Sequence, residues 1–153
     1  MLSLTSEYAL RIMIFLTEHR GESLTAEQIA SATLVPAGYT VKVLQQLSRA
    51  KLSKGQRGRN GGFTLDCDPT EVTLLEVVNV IDPIQRITTC PLGRVEHQNS
   101  LCPLHHRIDK AIGELESSLA SMSLQDVLND APGSTLCQEH ETGKATLSIS
   151  AIP

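Results

Sequence analysis

The residues best equipped for chemistry are four cysteines and the histidines and acids around two of them. Cys90 and Cys102 bracket a polar, irregular stretch that ends at Pro103, and His105 and His106 follow at once. Thiolate sulfur and imidazole nitrogen are ordinary ligands of zinc and of iron–sulfur clusters. A pair of thiols in such a loop is equally a candidate redox switch in a reducing compartment. Glu96, His97 and His106 are spare donors nearby. Cys67 follows an apolar run and reads as a packed thiol, while Cys137 and His140 sit in a Gly/Ser/Thr-rich tail and read as incidental. Four is an even number, but nothing else suggests secretion or a disulfide scaffold.

The second set of functional residues is cationic. From Gln28 to Leu65 there is no Asp or Glu, yet the stretch holds Lys42, Arg49, Lys51, Lys54, Arg57 and Arg59. Residues 1–66 carry eight Lys/Arg against five Asp/Glu, a balance of +3, and residues 67–153 carry five against twelve, a balance of -7. The net charge of -4 thus hides a local polyanion-seeking segment, although a basic stretch by itself is also compatible with a plain solvated face.

The elements around these residues decide between those readings. Tyr8, Ala9, Ile12, Met13, Phe15 and Leu16 recur at helical spacing from Leu4 to His19, with Thr5 or Ser6 as the expected cap and Arg20-Gly21 as the expected stop. Thr25 with Gln28 is a capping-box pattern for a short helix over 26–32. Thr33-Leu34-Val35-Pro36 breaks it, and a third helix is expected over 37–50. Residues 52–55 and 63–65 read as two short strands around the basic turn Gln56-Arg57-Gly58-Arg59-Asn60-Gly61-Gly62. Two helices joined by a tight turn, then a basic hairpin, is the order of a winged helix-turn-helix, so the expected fold is mainly α with a small β-hairpin wing. The Gly-rich turn lacks both the Gly-x-Gly-x-x-Gly and the Gly-Lys-Ser/Thr pattern of a nucleotide cradle.

Thr73 and Glu76 mark a further capped helix that Pro83 stops. After the cysteine stretch, Leu104, Ile108, Ala111, Ile112, Leu115, Leu119 and Met122 form one long amphipathic stripe. A stripe of that length needs a partner surface. The same helix of a second copy is the economical one, and packing back on its own domain is the alternative. A short helix over 123–128 follows. The expected organisation is a winged domain over 1–82, a cysteine loop over 83–103, a dimerisation helix with its short follower over 104–130, and a tail over 131–153.

Length and composition agree with that size. The 153 residues suffice for one domain with an appendage, and 41% hydrophobic residues allow a core, which must be aliphatic because only 3% are aromatic and there is no Trp. No window reaches the roughly 18 apolar residues of a membrane span. The start Met1-Leu-Ser-Leu-Thr-Ser-Glu7 has neither the basic beginning nor the apolar run of a secretory signal. A cytoplasmic protein without membrane contact is expected. No Ser-His-Asp order, phosphate loop or paired acid site stands out, so an enzyme is not expected, and a small metallohydrolase at His105 and His106 is the remaining enzymatic alternative.

Four segments together resemble one family. Leu4-Thr5-Ser6-Glu7-Tyr8-Ala9-Leu10-Arg11, the helix end Leu47-Ser48-Arg49-Ala50, Arg57-Gly58-Arg59-Asn60-Gly61-Gly62-Phe63-Thr64-Leu65 and Thr73-Leu74-Leu75-Glu76-Val77-Val78 look like the IscR/NsrR-type winged-helix regulators of bacteria, many of which carry an iron–sulfur cluster. The resemblance implies a homodimer built on the long helix, bound to double-stranded DNA at a palindromic operator. Its third helix would enter the major groove, with Tyr39, Thr40 and Lys42 at the base edges or phosphates and Arg49 in its last turn. Arg57, Arg59 and Asn60 of the wing would meet phosphates or the minor groove.

The resemblance also implies a ligand set. Cys90 and Cys102 match the outer two of three cysteines in cluster-bearing members, and Glu96 stands where those members carry the middle one. His105 matches a ligating imidazole, and Glu7 matches a carboxylate supplied by the partner subunit. A [2Fe–2S] cluster on Cys90, Cys102, His105 and Glu7 is the expected cofactor, with zinc or no metal as alternatives. The expected function is a transcriptional regulator sensing redox state, nitric oxide or iron–sulfur status. The alternative is a metal-free or zinc-binding regulator of the same family, using a thiol switch or a partner protein.

Overall fold

Ser3, rather than Thr5 or Ser6, caps the first helix of the computed structural model: its hydroxyl accepts the backbone N–H of Ser6 at 3.2 Å. Ser6 itself is buried inside helix α1 (Leu4–Glu18), which closes at His19 rather than at Arg20-Gly21. Residues 2–58, 61–91, 93 and 101–130 are described by the structure. Arg59, Asn60, Glu96, His97, Cys137 and His140 lie outside the described residues.

Both expected capping boxes form. Thr25 and Gln28 exchange hydrogen bonds at the start of α2 (Ala26–Thr33), and Thr73 and Glu76 do so at the start of α4 (Leu74–Ile81). Helix α3 (Ala37–Arg49) begins at Pro36 with no side-chain cap. Its end is a Schellman turn: Leu52 N–H donates to Leu47 O at 3.0 Å, and Lys51 N–H donates to Ser48 O at 3.1 Å. Leu52 is therefore taken up in closing the helix, which moves the first strand one residue on, to β1 (Ser53–Gln56). It pairs antiparallel with β2 (Gly62–Leu65), Gly55 opposite Phe63. Two non-glycine residues lie in the left-handed region, Leu34 (φ 54) between α2 and α3, and Lys51 (φ 61) after α3. Each costs about 1 kcal/mol relative to glycine.

The core is aliphatic, as the composition requires. Ile12, Met13 and Leu16 of α1 meet Ile29, Val43, Leu44, Leu47 and Val77, all buried. Helix α5 (Pro103–Ala120) buries no residue of its own. Helix α6 (Leu124–Asp130) behaves differently from the long helix it follows. Leu124 is fully buried in the winged core, and the backbone is pinned there by Leu74 N–H to Met122 O, Leu124 N–H to Val72 O, and Gln125 N–H to Pro69 O at 2.9–3.0 Å. Among the described residues no helix is long and apolar enough to cross a membrane.

Candidate nucleic-acid interface and cysteine loop

Helix α3 divides its residues cleanly. Thr40, Val43, Leu44 and Leu47 face the core. Gly38, Val41, Lys42, Gln45 and Arg49, at spacings of three and four, are exposed. Thr40 corrects one expectation: its side chain is fully buried, and its hydroxyl donates to Val35 O and Pro36 O, each at 3.3 Å. Thr40 locks the entry to α3 and is not placed to read bases. The helical period decides this, since position 40 shares a face with 43, 44 and 47. Tyr39 is half exposed, its ring edge-on to Tyr8 of α1 with centroids 5.9 Å apart and the Lys42 ammonium 5.9 Å from its centroid. A Cβ at Gly38 would meet nothing within 4 Å, so the chain's own packing does not require glycine there.

The wing is built by close backbone approach. A Cβ at Gly62 would come within 2.6 Å of the carbonyl oxygen of Leu24, which bridges to the neighbouring Phe63, so only glycine fits. The hairpin leaves Lys54 and Arg57 exposed. With Lys42, Arg49 and Lys51 they make five exposed cations in the acid-free stretch, and among the described residues none of them has a carboxylate within ion-pair distance. Among the described residues no carboxylate pairs with this charge.

The cysteine loop is tied to α5 by a contact that its sequence does not announce. Arg86 donates Nε to Asp109 Oδ1 at 2.7 Å and Nη2 to Oδ2 at 2.6 Å, and Nη1 reaches Glu116 Oε2 at 3.2 Å. The Ile87 N–H adds a bond to Asp109 Oδ1 at 2.9 Å. The guanidinium lies against Gly113, where a Cβ would stand 2.9 Å from Nη1. Partners 23 and 30 positions away in sequence have no periodic signal, so only the backbone path reveals them. The paired guanidinium pulls the Asp109 carboxyl down from 3.8 to about 2. A depressed carboxyl stabilises above its ordinary pKa and loses that contribution as pH falls through the folded value. The strap is therefore expected to hold at neutral pH and to release only between about pH 4 and pH 2. A carboxyl NMR titration of Asp109 with its midpoint near 4 would show that the strap does not persist in solution.

Cys90 is buried in this loop, its carbonyl accepting the Gly93 N–H at 3.0 Å. Cys102 is the N-cap residue of α5, ahead of Pro103 in the first turn, and its Sγ lies 3.3 Å from His105 Nδ1. Glu7 lies on α1, where Oε1 accepts from Arg11 Nε at 2.6 Å, and Arg11 Nη1 donates to Thr33 O at 3.3 Å at the end of α2. Oε2 of Glu7 is buried and has no hydrogen-bond partner. Among the described residues no three His, Cys, Asp or Glu side chains converge on a point that could hold a metal. The structure thus brings Cys102 and His105 together, and within one chain it does not add Cys90 and Glu7 to them. Cys67 is half-buried against the core, and burial, reinforced by Asp66 and Asp68, pushes its thiol up to about 11. That suits a packed thiol rather than a ligand.

Comparison with known proteins completes the description. The chain matches the Rrf2 family, described as iron-dependent transcriptional regulators, over residues 2–130. It is 28% identical over 126 residues to the HTH-type transcriptional regulator NsrR of Bacillus licheniformis, covering 80% of this chain and 88% of that one. Among solved structures it resembles T. potens IscR, with a TM-score of 0.71 at 21% identity, covering 91% of this chain and 93% of that one. It also resembles CymR (YrzC), the global cysteine regulator of B. subtilis, with a TM-score of 0.67 at 23% identity over 85% of this chain and 97% of that one. The winged helix-turn-helix architecture expected from the sequence is the architecture of these proteins. With a match running from the first helix to the end of α6, the chain belongs to the Rrf2 family of transcriptional regulators.

Proposed function

We propose that the chain works as a homodimer that grips a palindromic duplex operator with two winged units and adjusts that grip through the Cys90–Cys102 loop. The observation that carries the DNA reading is the set of exposed cations on α3 and the wing that no carboxylate among the described residues pairs, which suits a polyanion. Lys42, Arg49 and Tyr39 contact the duplex from α3, and Arg57, Arg59 and Asn60 contact it from the wing. The dimer forms along α5, where Leu104 is 63% and Ile108 41% exposed in the single chain. The regulator acts in the cytoplasm, where its operator lies.

The sensing group is a [2Fe–2S] cluster held by Cys90, Cys102, His105 and Glu7 of the partner subunit. The adjacent Cys102 and His105 donors support this set, and Glu7 keeps one carboxylate oxygen without a hydrogen-bond partner, which α1 would have to expose to reach a second subunit. When bound, such a cluster supplies a one-electron couple, raised in potential because only two thiolates feed it. A second reading is a metal-free or zinc-bearing thiol sensor, and the Cys102 Sγ beside His105 Nδ1 is a pair that serves either chemistry.

Two measurements test these readings. In a salt titration of duplex binding, Arg57→Ala is expected to lower the slope of log K against log salt by about one unit. An unchanged slope would take the wing off the DNA. Protein purified without oxygen is expected to be brown, with iron and sulfide present and the colour lost in Cys90→Ala. Colourless protein with zinc or without metal would replace the cluster by the second reading.

A further inference from the structure

Lys51 occupies a position that the fold would rather give to glycine. It is the residue after the cap in the Schellman turn that ends α3, with φ 61. The two hydrogen bonds of that turn and the buried pair Leu47 and Leu52 are backbone and apolar features that need no side chain at 51. The lysine is exposed, and among the described residues it forms no ion pair and no side-chain hydrogen bond. Among the described residues no ion pair or side-chain hydrogen bond repays its conformational cost. It sits between Arg49, at the end of α3, and Lys54, in the first wing strand, within the stretch that has no acid.

We propose that Lys51 is a DNA-phosphate contact at the junction of the reading helix and the wing, retained against the local backbone preference because its ammonium anchors both elements to one strand of the duplex. The proposal rests on the DNA-binding reading above. The rival cause is internal: a cation at a helix C-terminus is favoured by the helix dipole. The two causes separate by substitution. Lys51→Gly removes charge and strain together, Lys51→Gln removes charge and keeps the strain, and Lys51→Arg keeps both.

The test is binding to a mixed-sequence duplex of about 30 base pairs, ~three helical turns, titrated with salt, alongside thermal melting. Lys51→Gly is expected to melt a few degrees higher than the parent and yet bind more weakly, with a salt slope lower by about one unit. Lys51→Gln should lose the same slope, and Lys51→Arg should keep it. If Lys51→Gly and Lys51→Gln bind with the parental slope while Arg57→Ala loses a unit, Lys51 serves only the helix end and the proposal falls. If the parent itself shows no salt-dependent binding, the DNA reading falls and the Lys51 proposal falls with it.

Discussion

In the proposed dimer, a carboxylate on the outer face of α5, introduced as Ile108→Asp, is expected to separate the two subunits and to cost about 10²–10⁴-fold in affinity for a two-site operator. The magnitude comes from effective concentration. Two linked winged units make the second half-site encounter intramolecular, and a monomer forfeits that gain without losing any contact of its own. Ile108 is suited to the experiment because it is 41% exposed in the single chain, so the new charge meets water in the monomer and apolar surface only in the dimer. The neighbouring Asp109 is already engaged by Arg86, which leaves that guanidinium committed rather than ready to neutralise the newcomer. Sedimentation of the variant reads the subunit separation directly. A dimer that persists with normal operator affinity would move the interface away from α5.

Leu124→Ala is expected to destabilise the fold by about 2–5 kcal/mol. Leu124 is fully buried among side chains from the winged core, although it is contributed by the last described helix. A loss of that size is a large part of the whole stability of an ordinary domain, about 5–15 kcal/mol. The urea midpoint should fall while the slope of the transition stays the same, because the cavity changes stability and not the surface exposed on unfolding. If instead the midpoint is unchanged and only the amides of α6 exchange faster, α6 is an accessory that frays away from a self-sufficient core.

What the sequence revealed and what it hid follow from the range of the interactions involved. The two capping boxes are encoded within three residues, so Thr25 with Gln28 and Thr73 with Glu76 announce their helices without any tertiary knowledge. The amphipathic period likewise marks α3 and α5. The same period, followed one step further, assigns Thr40 to the inner face with 43, 44 and 47, although it stands in the N-terminal turn expected to face a duplex. Ser3 as the true cap differs from the expected Thr5 or Ser6 because the helix starts a turn earlier than its apolar pattern. Long-range partners are a different matter. The Arg86 pair with Asp109 and the return of Leu124 to α1 depend on where the chain doubles back, and no local pattern records that. In the ligand set, Cys102 and His105 stand three apart on one helix end and were legible as neighbours. Cys90 lies across the loop and Glu7 on the first helix, and no local spacing ties either of them to that pair.

The long helix is fastened at two places, to the cysteine loop and to the winged unit. Arg86 holds its first half through Asp109 and reaches Glu116, and the Leu74 and Leu124 backbone bonds hold the segment just beyond its last turn. A helix held in its middle and just past its last turn moves together with the segments that hold it. In the proposed dimer the gap between the two reading helices would follow the angle at which the two long helices cross, so a signal would act at that crossing. In that arrangement an operator with altered half-site separation would bind more weakly.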